Sequence, residues 1–181
     1  LYITRHGETE WNKEGRSQGT LNSNLTEDGK LQASKLSKRL RDVDFEKAYI
    51  SPLGRTKETA EILLQGRSVN IEYMKELMAM DMGKWQGLVK DDIERLYGSE
   101  RLLFNENPEK YHSVEGEDFY QLRERVKVAL GKIIEQDHKG NVLVVTHGIT
   151  KKMIVSVMKN MPVSEVWNAP WMEPTAMLGF D

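Results

Sequence analysis

"VLVVTHG", residues 142–148, is the stretch on which the fold turns. Four apolar residues run without alternation, as in a strand buried on both faces of its sheet, and then Thr146, His147 and Gly148 follow. "LYITRHG", residues 1–7, has the same plan: a short apolar strand over residues 1–4 delivers Arg5, His6 and Gly7. A sheet covered on both faces needs helices on both sides. "LTEDGKLQASKLSKRLRDV" has Leu31, Leu36 and Leu40 near helical spacing and Thr26 as a natural N-cap. "EKAYIS" reads as a strand and "SPLGRTKETAEILL" as a helix with proline in its first turn. "VNIEY" is a further strand, and residues 88–97 look helical. "EDFYQLRERVKVALGKIIEQD" is a long amphipathic helix on Phe119, Leu122, Val126, Leu130 and Ile133, closing at Gly140. "TKKMIVSVMKN" is a helix and "TAMLGF" an edge strand, whereas residues 98–116, with Pro108, show no clear element. Strands separated by helices predict an α/β fold. It is a three-layer sandwich: a mostly parallel central sheet with helices on both faces. One domain spans residues 1–181, with residues 85–115 as a substrate-specificity cap.

Composition narrows the function. The 181 residues carry 39% apolar and 30% charged side chains, enough for one core and a solvated surface. A net charge of -2 gives no reason to expect nucleic acid or an anionic membrane as partner. The absence of cysteine excludes disulfides, thiolate nucleophiles and cysteine-ligated zinc, and fits a cytoplasmic location. No apolar stretch approaches the roughly 20 residues of a membrane span, and no signal peptide is visible. A homo-oligomer is compatible with all of this.

In open α/β sheets, ligands sit beyond the carboxyl ends of the strands. Arg5-His6-Gly7, His147-Gly148 and Ser51-Pro52, which leads to Arg55, all fall there. Arginines are permanent planar donors suited to a tetrahedral oxyanion. The histidines can be neutral or charged near pH 7. Gly7 and Gly148 allow a ligand near the backbone, and helix N-termini after Ser51 and His147 offer free N–H groups. Together these describe a cationic pocket for a phosphoryl group, in which a neutral imidazole can attack phosphorus. Singly, each histidine reads as structural and each arginine as a surface ion pair; their pairing at strand ends raises the functional reading to even odds. His112 and His138 read as solvated, and so do the lysine faces at Lys35–Arg41 and Lys151–Lys152. Trp11, Trp85, Trp167 and Trp171 read as packing residues.

The motifs add a resemblance. "RHGETEWN" resembles the signature of the histidine phosphatase superfamily, the phosphoglycerate mutase-like proteins. "QGTLNSNLTEDGKLQA", "SPLGRTKETAEIL", "GKWQGL", "VEGEDFYQLRERV" and "VVTHG" follow in the family's order and extend the likeness over nearly the whole chain. The resemblance implies that His6 becomes phosphohistidine and that Arg5, Arg55 and His147 grip the phosphoryl oxygens. It implies that Asn12 and the Gly148 backbone contact phosphate, that Thr9, Gln18 and Gly19 line the entrance, and that no metal or organic cofactor is needed. Its substrate would be a small phosphorylated metabolite.

One departure matters. The family has a glutamate, the proton donor to the leaving alkoxide, four residues before the glycine of its Gly-x-Trp turn; here that position is Ala79. In an extended segment Glu76 would face the other way, and Asp81 would share the face but start about 6.6 Å further along. Three explanations stand: an introduced inactivating substitution, which comes first; a natural variant with low or relocated activity; or a non-catalytic phosphate or phosphoprotein binder. Losing a positioned acid lowers rates by about 10²–10⁴-fold. Family mutases carry a lysine and adjacent arginines for the glycerate carboxylate. Lys90 falls near the lysine, but "FNENPEK" offers no arginine, which favours a phosphomonoester hydrolase over a phosphoglycerate mutase. A metallohydrolase on His6, His147 and a carboxylate is the remotest reading, because arginines stand beside both histidines. Tyr97, Leu102, Leu103, Phe104 and Tyr111 form either an apolar cap or the packing face of a helix pair.

Overall fold

The computed structural model describes residues 1–169, 175 and 177–179. Five strands form one sheet: β1 (Tyr2–Arg5), β2 (Phe45–Ile50), β3 (Asn70–Tyr73), β4 (Asn141–Thr146) and β5 (Met177–Gly179), in the order β3-β2-β4-β1-β5. The first four run parallel and β5 is antiparallel to β1. Of the expected edge strand over residues 175–180, the described part is β5; Trp171 lies outside the described residues.

The unbroken apolar run of β4 has its reason in the layers. Val142 and Val144 point into one core with Ile3 and Tyr49, and Leu143 and Val145 into the other with Ala48 and Ile50. Helices α2 (Glu27–Arg39) and α3 (Gly54–Leu64) cover the second core. Helices α4 (Lys90–Glu106), α5 (Phe119–Glu135) and α6 (Gly148–Met158) cover the first. A short helix, α1 (Glu10–Lys13), follows β1. This is the three-layer sandwich that the alternation of segments predicts. Among the described residues no helix is long and apolar enough to cross a membrane.

Several local expectations need correction. Helix α4 runs to Glu106, through the stretch that shows no clear element in sequence, with a non-helical backbone at Tyr97 (φ -136°, ψ 32°). Pro52 precedes α3, whose N-cap is Leu53. Leu31 is 50% exposed, and Ala33 takes its place on the buried face of α2. Lys151 and Lys152 are buried, not solvated: α6 is covered nearly all round, and Lys152 Nζ donates to the carbonyls of Trp167 and Ala169. His138 is also drawn in, its Nε2 lying 2.9 Å from the Tyr49 hydroxyl. Leu102 is exposed, whereas Tyr97, Leu103 and Phe104 pack on the core and Tyr111 lies within it. Trp85 is a core residue, with its ring 5.3 Å from that of Phe104.

Candidate active site

The register of β1 on β4 sets the site. Arg5 stands opposite Thr146, and the His6 N–H donates to the Thr146 carbonyl at 3.0 Å. The residues after each strand, His6 and His147, therefore emerge side by side, with ring centroids 5.3 Å apart. Beside them β2 leads into Ser51, whose N–H donates to the Val145 carbonyl. The three strand ends picked out in sequence meet at one place.

Each imidazole is oriented by its neighbours. His6 Nδ1 lies 2.7 Å from the Gly7 carbonyl, an acceptor only, so Nδ1 carries the proton and Nε2 keeps its lone pair. His147 Nε2 lies 2.7 Å from the Ser51 hydroxyl. Its Nδ1 is buried with no hydrogen-bond partner among the described residues. Burial, followed by the Arg5 and Arg55 charges, holds His6 well below its usual pKa. Burial first and Arg55 next do the same to His147. Both rings are thus neutral near pH 7.

Arg55 is 2% exposed and firmly anchored. Its two terminal nitrogens donate to the carbonyls of Leu21 and Gly19 at 2.6 and 2.7 Å, and its Nε has no partner among the described residues. Burial, then Arg5, lowers its pKa to about 10, so it stays charged. Asn12 accepts the Thr9 N–H through Oδ1 at 3.2 Å, which leaves its NH2 as the donor end. The Thr9 hydroxyl accepts the Asn12 N–H and caps α1. Thr9 therefore does not line the cavity as the resemblance implies. Gly7 also has another reason to be glycine: a Cβ there would lie 2.5 Å from the Gly29 carbonyl of α2, so it serves close packing rather than ligand approach.

A cavity of about 410 Å³ opens over these groups. Arg5, His6, Asn12, Gln18, Gly19, Arg55, Ala79, Lys90, His147 and Gly148 all line it, which brings together every predicted site residue except Thr9. The wall adds Arg16 and Arg101, which sequence reasoning missed. Among the described residues no carboxylate lines it. Ala79 forms part of the wall at the place the resemblance gives to the proton donor. Neither neighbour replaces it: the Asp81 carboxylate accepts the Gly83 N–H at 2.9 Å, and Glu76 pairs with Lys132. The loop bearing Ala79 is held by Arg125, which donates to the carbonyls of Glu76, Met78 and Ala79 and pairs with Glu117. Sequence placed Ser51 at a strand end without a side-chain role, and Thr59 (which accepts the Gly7 N–H at 3.0 Å) and Arg125 carry no signal beyond their place in the quoted motifs.

The family description for the histidine phosphatase superfamily (branch 1) matches residues 1–179. The chain belongs to this superfamily. A probable phosphoglycerate mutase GpmB of Salmonella arizonae is 36% identical over 163 residues, covering 90% of this chain and 75% of that protein. The solved structure of Bacillus stearothermophilus YhfR superposes with a TM-score of 0.94 at 37% identity, over 98% of this chain and 88% of that one. A putative alpha-ribazole-5'-P phosphatase from Escherichia coli K-12 superposes with a TM-score of 0.86 at 27% identity, over 93% and 83%. Histidine phosphatase superfamily relatives thus carry both phosphatase and mutase names, on one fold.

Proposed function

We propose that the chain is a phosphomonoester hydrolase working through a phosphohistidine on His6. The observation that carries this reading is the pair of neutral imidazoles set between Arg5 and Arg55, in a cavity that no carboxylate lines among the described residues. The His6 Nε2 lone pair attacks phosphorus while the bond from phosphorus to the ester oxygen breaks. Arg5, Arg55, the Asn12 NH2 and the N–H groups opening α6 receive the charge on the equatorial oxygens. His147 Nδ1 is the ring atom left to face the same oxygens. Water then attacks the phosphohistidine, releasing phosphate and restoring His6. The leaving oxygen needs a proton, and Ala79 has none to give. This chain is accordingly impaired toward alkyl esters and less so toward nitrophenyl esters, whose leaving group needs little protonation.

The test is p-nitrophenyl phosphate hydrolysis by the chain and by its Ala79→Glu form, with His6→Ala as the blank. We expect Ala79→Glu to raise turnover by about 10²-fold or more on an alkyl phosphate and by less on the nitrophenyl ester. Turnover at blank level in both forms would overturn the hydrolase reading and leave a phosphate-binding module. A second reading, phosphoglycerate mutase, is favoured by Lys90 on the cavity wall and by the name of the Salmonella relative. Interconversion of phosphoglycerates that depends on 2,3-bisphosphoglycerate would decide for it.

A further inference from the structure

The loop over residues 79–82 presents Ala79, Met80 and Met82 to the cavity and no acid. Its one carboxylate, Asp81, borders a second cavity, of about 420 Å³, which Ala79 also touches. Glu115 and Glu117 line that second cavity too. All three acids are committed there. Asp81 accepts the Gly83 N–H at 2.9 Å, Glu115 pairs with Lys84 at 2.8 Å, and Glu117 pairs with Arg125 at 2.6 Å. Arg125 also donates to the carbonyls of Met78 and Ala79, at 2.9 and 3.0 Å. Turning one of these acids toward the histidines would break that anchor. The cations on the active-site wall do not replace them: arginine keeps its proton at neutral pH, and Lys90 is exposed. His147 is neutral near pH 7, so it has no spare proton either.

The wall around the leaving oxygen is thus fixed in an acid-free form, and the leaving groups it suits are those that depart unprotonated. Conjugate acids set the scale: about 4 for a carboxylic acid, about 10 for a phenol and about 16 for water, the model of an alkanol. An alkoxide must take up a proton as it leaves, whereas a carboxylate leaves as it is.

We infer that the substrate class matched to this chain is the acyl phosphate, the mixed anhydride of phosphoric and carboxylic acids; this rests on the hydrolase reading for His6. The His6 Nε2–phosphorus bond forms as the bond from phosphorus to the acyl oxygen breaks, and its electron pair leaves on the carboxylate. His6 keeps its Nδ1 proton on the Gly7 carbonyl throughout. Water then attacks phosphorus, the Nε2–phosphorus pair returns to the ring, and both water protons leave with dihydrogen phosphate. Neither step needs an acid that the cavity lacks.

The test uses benzoyl phosphate and phenyl phosphate, which share a ring and differ in the leaving oxygen. Both are given to the chain as it stands and to Ala79→Glu, with His6→Ala as the blank. Phosphate release from benzoyl phosphate should exceed the blank in the parent and change by less than about tenfold in Ala79→Glu, whereas phenyl phosphate should gain about 10²-fold or more. In heavy-oxygen water the label should enter phosphate and not benzoate. Equal gains on the two probes, label in benzoate, or benzoyl phosphate turnover in Ala79→Glu alone overturns the inference and leaves the hydrolase reading standing. Turnover at blank level with both probes in both forms overturns the hydrolase reading itself.

Discussion

Ser51 is the residue through which β2 acts on the chemistry. Its hydroxyl meets His147 Nε2 at 2.7 Å, and both groups are buried. Ser51→Ala leaves that nitrogen without a partner and lets the ring turn. In the Ala79→Glu background we expect about a tenfold loss in kcat/KM on p-nitrophenyl phosphate, carried by kcat rather than by folding. An unchanged kcat would show that packing alone sets the ring. At this scale the sequence was legible where a residue type is rare at its place. An arginine, two histidines and two glycines at strand ends stand out, and His6, His147, Arg5 and Arg55 do share one cavity. The place of Ser51 was legible but not the role of its hydroxyl, and Thr59 was not legible at all, because hydroxyls at strand ends and on helices are common. Lys151 and Lys152 were misread for a different reason. Helical spacing tells which face a lysine occupies but not what covers it, and here residues 163–169 bring carbonyls to Lys152. Burial, and then Arg5, takes the Lys151 pKa down to about 7.

Between elements, the contact that most constrains His6 is made by two glycines. A Cβ on Gly7 would meet the Gly29 carbonyl at 2.5 Å, and one on Gly29 would meet the Glu8 carbonyl at 2.0 Å. Backbone cannot yield as a side chain does, so α2 must move off the β1–α1 loop. Gly7→Ala should cost about 1–3 kcal/mol in urea unfolding and shift His6 with the loop. Gly131 of α5 is the opposite case: nothing lies within 4 Å of its missing Cβ. Gly131→Ala should stabilise by about 0.5–1 kcal/mol. Equal effects from the two substitutions would remove the packing explanation. The elements themselves were largely legible, since periodicity separates β4 from α5 without ambiguity. Helix α4 was legible only to residue 97: residues 98–116, with Pro108, show no clear element in sequence. The backbone does leave helical geometry at Tyr97, and the second segment resumes to Glu106 because Leu103 and Phe104 gain core contacts. The start of α5 is fixed by Asp118, whose carboxylate accepts the Gln121 N–H at 2.8 Å.

For the whole molecule, a site built from buried neutral imidazoles between arginines opposes acid. His6 and His147 titrate near 6.5 in the unfolded chain and well below that in the folded one, chiefly through burial. Below pH 6.5 the unfolded chain therefore binds protons that the folded chain refuses. Stability is fully present above that pH and falls as pH drops toward the folded values. Two such groups give a slope of at most about 2.7 kcal/mol per pH unit. Urea midpoints measured from pH 7 to pH 5 should fall steeply. They should fall far less in the His6→Ala, His147→Ala double variant, which has neither ring to protonate. The same slope in both would place the acid sensitivity elsewhere. Inorganic phosphate supplies a second arm. At the proposed site it should bind the folded state alone and raise the midpoint with the logarithm of its concentration. Bound at the proposed site, between Arg5, Arg55 and both rings, its charge would also make protonation of the rings less unfavourable. Phosphate should therefore flatten the acid limb as well as lift it, whereas a ligand bound away from the histidines would raise the midpoint equally at every pH.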